Sequence, residues 1–251
     1  MIILIYGLPG AGKTALAEEI VSRCDAIHIN GDAVRADLSS DLGFSNEDRL
    51  EQARRVGAVA RLISSQNKIC VVDFICPTVE TRKAFGLAHH RVWVDRIQSG
   101  RFEDTNKLWE EPHSNEYDFK INPGVTVEQE GNFVFDKIGV QSWRASTTLM
   151  LGRYQPWHEG HSALYVEAQK RTDQVVIGVR NTHGTSEKDP LPFADVKARI
   201  LQDLPGAFVV QMPNITNIVY GRDVGYKIEK IDLGAEIEAV SATDKRRELG
   251  I

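Results

Sequence analysis

Gly7-Leu8-Pro9-Gly10-Ala11-Gly12-Lys13-Thr14 fits the spacing G-x-x-x-x-G-K-[ST], a phosphate-binding loop. Gly7, Gly10 and Gly12 let the backbone curl so that successive N–H groups form a nest for phosphate oxygens. Lys13 is placed to reach the β- and γ-phosphates of a nucleotide, and the Thr14 hydroxyl to sit on Mg²⁺. The flanks agree. Met1 to Tyr6 is an apolar run of buried-strand character, and Ala15 to Val21 has helical spacing. Strand, glycine loop and helix thus follow in the order that aims a helix N-terminus at an anion. The bland alternative, a glycine-rich turn that binds nothing, does not account for all eight positions and both flanks.

Working outward, Asp25 to Asn30 reads as a short strand, followed by Gly31-Asp32-Ala33-Val34-Arg35. Ser45 is a helix N-cap with Asp48 in the capping-box position, and its helix runs towards Leu62. Ile69 to Phe74 is a buried strand that ends in Ile75-Cys76-Pro77, and Arg91 to Asp95 is another strand. Strands alternating with helices imply a parallel sheet covered on both faces, with ligands at the strand carboxyl ends. Tyr117 to Ile121 is the expected last strand of this sheet, and the residues to about Ile138 form a closing helix or hairpin. Gly139 to Ser146 is the linker.

Three stretches carry a family resemblance. They are Asn30-Gly31-Asp32-x-x-Arg35, then Leu42-Gly43-Phe44-Ser45-x-x-Asp48-Arg49-x-Glu51-x-x-Arg54-Arg55, then Phe74-Ile75-Cys76-Pro77. Together with the phosphate loop they resemble the adenylylsulfate kinases, which transfer the γ-phosphoryl of ATP to a ribose hydroxyl of adenylylsulfate. The resemblance implies that Asp32 is the acid–base and metal-linked carboxylate. It implies that Arg35 and Arg49 hold the acceptor's anionic group, that Phe44 stacks on its base and that Ile75 lines its site. These residue types suit the task, because a carboxylate orients an attacking hydroxyl and arginine matches phosphate oxygens bidentately. The chain departs from the family in Arg96 to Lys107, shorter and more mixed in charge than the usual basic segment, and at Gln52 and Cys76, where Asn and Ser are common.

The second half opens on a strand, Thr147 to Leu151, followed by Gly152-Arg153-Tyr154-Gln155-Pro156-Trp157-His158-Glu159-Gly160-His161 and helical spacing from Ala163 to Lys170. His158-x-Gly160-His161 resembles the signature of the H-x-G-H nucleotidyltransferases, and its lead-in is similar to the nicotinamide mononucleotide adenylyltransferases. Two imidazoles at a helix N-terminus can donate hydrogen bonds to α-phosphoryl oxygens as charge builds there, and Gly160 permits close approach. No Cys, third His or placed carboxylate completes a zinc site with this pair. Near the end, Val240-Ser241-Ala242-Thr243-Asp244-Lys245-Arg246 stands where that family has a second signature. Ser241 and Thr243 can cap a helix and bond a triphosphate, and Arg246 adds charge. Gly152 and Arg153 join these as nucleotide-binding candidates. Arg180, in Gly178-Val179-Arg180-Asn181, and Arg222, in the polar and aromatic stretch Asn214 to Asp223, are expected around the acceptor.

The chain has 251 residues, of which 42% are apolar and 26% charged, the profile of a globular protein with ample core. A net charge of −5 argues against a nucleic-acid partner. Three cysteines without metal-ligand spacing, Cys70 among them in an apolar run, fit a reducing compartment. With no leader and no apolar span, a cytoplasmic protein without membrane partners is expected. The fold class expected is α/β, with two parallel-sheet domains. Residues 1–140 form a P-loop kinase fold and 147–251 a small Rossmann-like H-x-G-H nucleotidyltransferase fold. The expected function is a bifunctional transferase, in which the first domain phosphorylates a hydroxyl from ATP. The second condenses a second NTP (CTP or ATP) with a phosphorylated acceptor and releases pyrophosphate. Both use Mg²⁺, the partners are small-molecule nucleotides and the acceptor, and homo-oligomerisation stays open. Fusion with a cytidylyltransferase of this kind resembles enzymes of capsular phosphoramidate synthesis. Two alternatives stay open: a nicotinamide riboside kinase with a mononucleotide adenylyltransferase, making NAD, and a nucleotide-sensing regulator.

Overall fold

The structure is a computed structural model, and it describes residues 1–182, 184–219, 221, 225, 227–238 and 240–250. The chain divides into two compact units, Met1–Trp143 and Arg144–Ile251.

In the first unit, β1 (Ile2–Tyr6) leads through the glycine loop into α1 (Lys13–Val21). β2 (Ala26–Asn30), α2 (Gly31–Leu38), α3 (Asn46–Ser65), β3 (Ile69–Phe74), α4 (Val79–Phe85) and β4 (His90–Val94) follow. The unit ends with α5 (Glu103–Leu108), β5 (Phe119–Ile121) and α6 (Val127–Ile138). All five strands are parallel, in the order β2-β3-β1-β4-β5. β1 is central and wholly buried, with Ile2 beside Cys70 and Tyr6 beside Phe74. Its period-two alternation serves two cores, which is why the run is apolar throughout. Ile3 and Ile5 face a core with Leu16, Ile20, Val134 and Phe135, while Ile2, Leu4 and Tyr6 face one with Val56, Ala60 and Phe85.

The caps sit where the sequence places them. The Ser45 hydroxyl accepts from the Asp48 N–H at 3.1 Å and Asp48 accepts from the Ser45 N–H at 3.4 Å, opening α3. The closing segment is a helix rather than a hairpin, capped by Thr126 and ended by Gly139 with φ 62°. Two elements differ from expectation. α2 begins at Gly31 because the Asn30 side chain accepts from the Asp32 and Ala33 N–H groups. β5 is only three residues long, starting at Phe119 rather than Tyr117.

In the second unit, β6 (Thr147–Gly152), α7 (Glu159–Gln169), β7 (Gln174–Arg180), α8 (Phe193–Asp203) and β8 (Phe208–Met212) form a parallel sheet in the order β6-β7-β8. Two short helices, α9 (Ala235–Glu238) and α10 (Ala242–Leu249), follow. Its own core gathers Met150, Trp157, Ile177, Val196 and Ile200. α7 starts four residues before Ala163, because His158 caps it. No helix among the described residues is long and apolar enough to cross a membrane.

Candidate functional site

The glycine loop is held by its neighbours. A Cβ on Gly7, whose φ is 152°, would lie 2.5 Å from the Val94 carbonyl oxygen, so only glycine fits between β1 and β4. Gly12 caps α1 at φ 91° with no side-chain acceptor, and a Cβ there would strike the Arg96 guanidinium. The first-turn N–H groups of α1 therefore lack a protein cap and point to an anion. Lys13 is 8% exposed and donates to the Leu8 carbonyl at 3.0 Å. Burial lowers its pKa against the pull of Asp73 and Asp32.

Beneath the loop, the Thr14 hydroxyl donates to Asp73 at 2.6 Å. Asp73, at the end of β3, is 3% exposed and also accepts from Asn30 at 3.0 Å and meets His28 Nε2 at 2.6 Å. Burial alone would raise its pKa, but hydrogen bonds from His28 and Thr14 outweigh that and the net shift is downward. A hydroxyl and an ionised carboxylate side by side are hard oxygen donors that fit Mg²⁺, which is held by one or two carboxylates plus substrate phosphates. The carboxylate that touches Thr14 is thus Asp73, whereas the expected Asp32 is exposed in the first turn of α2. Asp32 shares the electrostatic field of Lys13 and Arg35 instead.

The departing segment Arg96 to Lys107 packs on the loop. Arg96 donates to the Ala11 carbonyl at 3.2 Å and is ion-paired with Glu130 of α6, which is 2% exposed. Asn106 bonds both backbone groups of Gly100, accepting from its N–H at 2.8 Å and donating to its carbonyl at 3.0 Å. This holds Gly100 against Pro9, where an added Cβ would sit 2.7 Å from the proline ring. Exposed Arg101 reaches over Gly10, with Nε 3.2 Å from where a Cβ would be. It has no hydrogen-bond or ion-pair partner among the described residues.

Among the residues expected to receive the acceptor, Phe44 is 67% exposed, with the Arg35 and Arg49 guanidinium carbons 4.8 and 5.6 Å from its ring centroid. Arg35 donates to the Gly43 carbonyl at 2.6 Å and Arg49 to the Phe44 carbonyl at 3.0 Å. Arg49 also meets Asp104 of α5 at 2.5 Å, so its charge is engaged by a carboxylate. Ile75, half-buried, carries the carbonyl that accepts from the Gly7 N–H at 3.4 Å. Arg35, Phe44 and Arg49 are brought together. Arg54 and Arg55 pair instead with Glu51 and Asp41.

In the second unit, two imidazoles build the start of α7. His158 Nδ1 accepts from the Gly160 N–H at 3.2 Å, and His161 Nδ1 accepts from the His158 N–H at 3.3 Å. The rings stack at 3.8 Å between centroids. With both Nδ1 atoms accepting, each neutral ring carries its proton on Nε2. Burial pushes the His161 pKa down to about 3, with the His158 charge adding, and burial lowers His158 too. Tyr154 and Trp157 pack on His161 at 5.0 and 5.2 Å. On α10, the Ser241 hydroxyl accepts from the Thr243 N–H at 3.1 Å. Arg246 donates to the Gln155 carbonyl at 2.6 Å and to the Thr243 hydroxyl at 3.1 Å, which brings α10 to the loop before His158. Lys245 pairs with Glu159 and Glu248. Gly152 lies under the Tyr154 ring, and Arg153 is paired with Asp189 at 3.2 Å. Arg180 ends β7, whereas Arg222 lies outside the described residues.

Comparison with known proteins bears on the first unit. Residues 1–97 match the adenylylsulphate kinase family model. The adenylyl-sulfate kinase of Acaryochloris marina is 44% identical over 81 residues, 30% of this chain and 40% of that protein. That of Bacillus licheniformis is 42% identical over 101 residues, 38% of this chain and 50% of that one. The chain therefore spans about half the length of these relatives, or less. The solved APS kinase CysC of Mycobacterium tuberculosis, in complex with AMPPNP and APS, is 22% identical and covers 55% of this chain and 97% of its own, with a TM-score of 0.47.

Within this adenylylsulphate-kinase-like unit, sequence reading missed Asp73, His28 and the clasp of Arg96, Gly100 and Arg101. Asp73 did leave a signal, as the one carboxylate in an otherwise apolar strand. The clasp left none, because Glu130 is 34 residues from Arg96 and nothing in the linear pattern joins them.

Proposed function

We propose that the first unit is an ATP-dependent kinase acting on the hydroxyl of a small nucleotide-like acceptor, with adenylylsulfate as the first candidate. The observation that carries this reading is the hydrogen bond between Thr14 and buried Asp73 directly below a phosphate loop whose α1 N-terminus has no protein cap. Lys13 and the loop N–H groups bind the β- and γ-phosphates, and Thr14 with Asp73 holds the Mg²⁺, which supplies charge neutralisation on the phosphates. The acceptor oxygen attacks the γ-phosphorus, the bond to the β–γ bridging oxygen breaks, and ADP leaves. The hydroxyl proton passes to the Asp32 carboxylate. Arg35, Arg49 and Phe44 receive the acceptor, whose anion must displace Asp104 from Arg49.

We further propose that the second unit transfers a nucleotidyl group. His158 and His161 donate from Nε2 to the α-phosphoryl, with Gly152, Arg153, Gly160, Ser241, Thr243 and Arg246 around the triphosphate. An acceptor phosphoryl oxygen attacks the α-phosphorus and pyrophosphate leaves. The two neutral imidazoles at the start of α7 support this reading.

The deciding experiment measures ADP formation with adenylylsulfate and other nucleotide acceptors, and pyrophosphate release from each of the four NTPs with phosphorylated acceptors. Lys13→Met is expected to lower the first activity about 100-fold or more, and His161→Ala the second. ATP-dependent pyrophosphate release with nicotinamide mononucleotide would transfer the second unit to NAD synthesis. Nucleotide binding without turnover in either assay would make the chain a sensor.

A further inference from the structure

At the carboxyl end of β7 lies a cavity of about 170 Å³. Arg180, Thr182, Thr185 and Gln211 give it a polar side, and Leu191 and Phe193 an apolar one. Binding sites for whole drug-sized molecules start at roughly 300 Å³, so this space holds a group rather than a nucleoside. Its decisive feature is Arg180. The Nε atom is buried and has no hydrogen-bond partner, and the guanidinium's one hydrogen bond among the described residues is a long one to the Ile215 carbonyl, 3.4 Å from Nη1. No carboxylate pairs with it among the described residues. Arg23, Arg49, Arg82 and Arg96, buried or half-buried, each meet an Asp or Glu. A buried N–H donor without an acceptor is unfavourable unless a ligand supplies one.

We infer that this cavity is a subsite for a compact oxyanion-bearing group, carboxylate or phosphoryl, on the acceptor of the second unit, with Arg180 as its anchor. Its place beside the chemistry comes through Gln155. The Gln155 amide is committed to both backbone groups of Leu191, at 2.7 and 2.9 Å, and forms part of the cavity wall. Its own carbonyl accepts from Arg246, and His158 is three residues on. One buried glutamine therefore joins the cavity rim, the helix α10 arginine and the imidazole pair. The apolar side selects against a fully hydrated ion and for an anion carried on a short organic body. The role as acceptor subsite rests on the nucleotidyl-transfer reading, whereas oxyanion binding at Arg180 does not.

The test uses the full chain with ¹⁵N-labelled arginine, following the Arg180 Nε–H signal, assigned by its loss in Arg180→Gln. Inorganic phosphate and propanoate are titrated separately, with methylammonium as the cation control. A saturable shift of that signal with either anion, none with methylammonium, and at least tenfold weaker binding in Arg180→Gln are expected. The arm that saturates at lower concentration tells phosphoryl from carboxylate. Should Arg180→Gln fail to fold, Arg180→Lys, which keeps the charge but loses the fork, takes its place and is expected to bind several-fold more weakly. No shift with either anion, or equal binding in the variant, overturns the subsite. A shift without pyrophosphate release from any NTP keeps the subsite and removes the nucleotidyl-transfer reading. Release without a shift does the reverse.

Discussion

At the residue scale, Asp73 changes the picture of the phosphate site. It lies where a buried strand meets the loop, and its carboxylate stays ionised because three neighbours bond it. Asp73→Asn keeps the shape and removes the charge. Kinase turnover is expected to fall at least tenfold and the Mg²⁺ concentration for half-maximal rate to rise, read from a Mg²⁺ titration at fixed ATP; an unchanged titration would return the metal to Asp32. His161 gives a pH prediction. Its folded pKa of about 3 lies below the ordinary value near 6.5, so the unfolded chain binds the proton more readily. Stability from its neutral form is complete above pH about 6.5 and is lost as pH falls towards 3. By pH 4.5 the loss is about 3 kcal/mol. Thermal unfolding across that window is expected to be flatter in His161→Gln, and parallel curves would reject the assignment.

At the scale of elements, the regular parts were legible in the sequence and the joins between them were not. β1, α1, β3 and the Ser45 cap follow from apolar runs, glycine spacing and one capping pair, all local signals. α2 escaped because its cap, Asn30, is also the last residue of a strand and reads as strand. α7 opens at the His158-x-Gly160-His161 stretch, as expected from the sequence, although the helical spacing itself is recognisable only from Ala163. The Arg96–Glu130 pair couples the segment after β4 to α6 across the phosphate loop. Removing one member strands a buried charge, so Glu130→Ala is expected to destabilise the first unit by about 3–5 kcal/mol. Chemical denaturation would show it, and a loss below 1 kcal/mol would mean that the pair is solvated. Arg35, Phe44 and Arg49, by contrast, were found together by family register alone, because an exposed Phe between two arginines has no periodic signature.

For the whole molecule, two parallel sheets with separate cores were readable from the alternation of strands and helices and from two glycine-containing strand-to-helix stretches, Gly7 to Thr14 and His158 to His161. What the sequence could not give is the content of each site, because Asp104 on Arg49 and the buried, unbonded Nε of Arg180 depend on groups distant in the chain. Separate cores lead to a prediction at this scale. Calorimetry is expected to resolve transitions for each unit, and Mg²⁺–ATP at 100 times its dissociation constant adds about 2.7 kcal/mol to one that is lost in Lys13→Met. A single transition unmoved by nucleotide would reject a phosphate site in the first unit.

The stacked histidines of α7 are at once the reactive groups of the proposed site and the cap that starts the helix. This dual duty constrains neutral drift. A descendant that abandoned the chemistry would still need an oxygen or nitrogen acceptor at position 158 to seat the Gly160 N–H. Decayed copies should therefore pass to Ser, Thr, Asp or Asn there, and an apolar residue at 158 would mark a lineage in which the helix itself had been rebuilt.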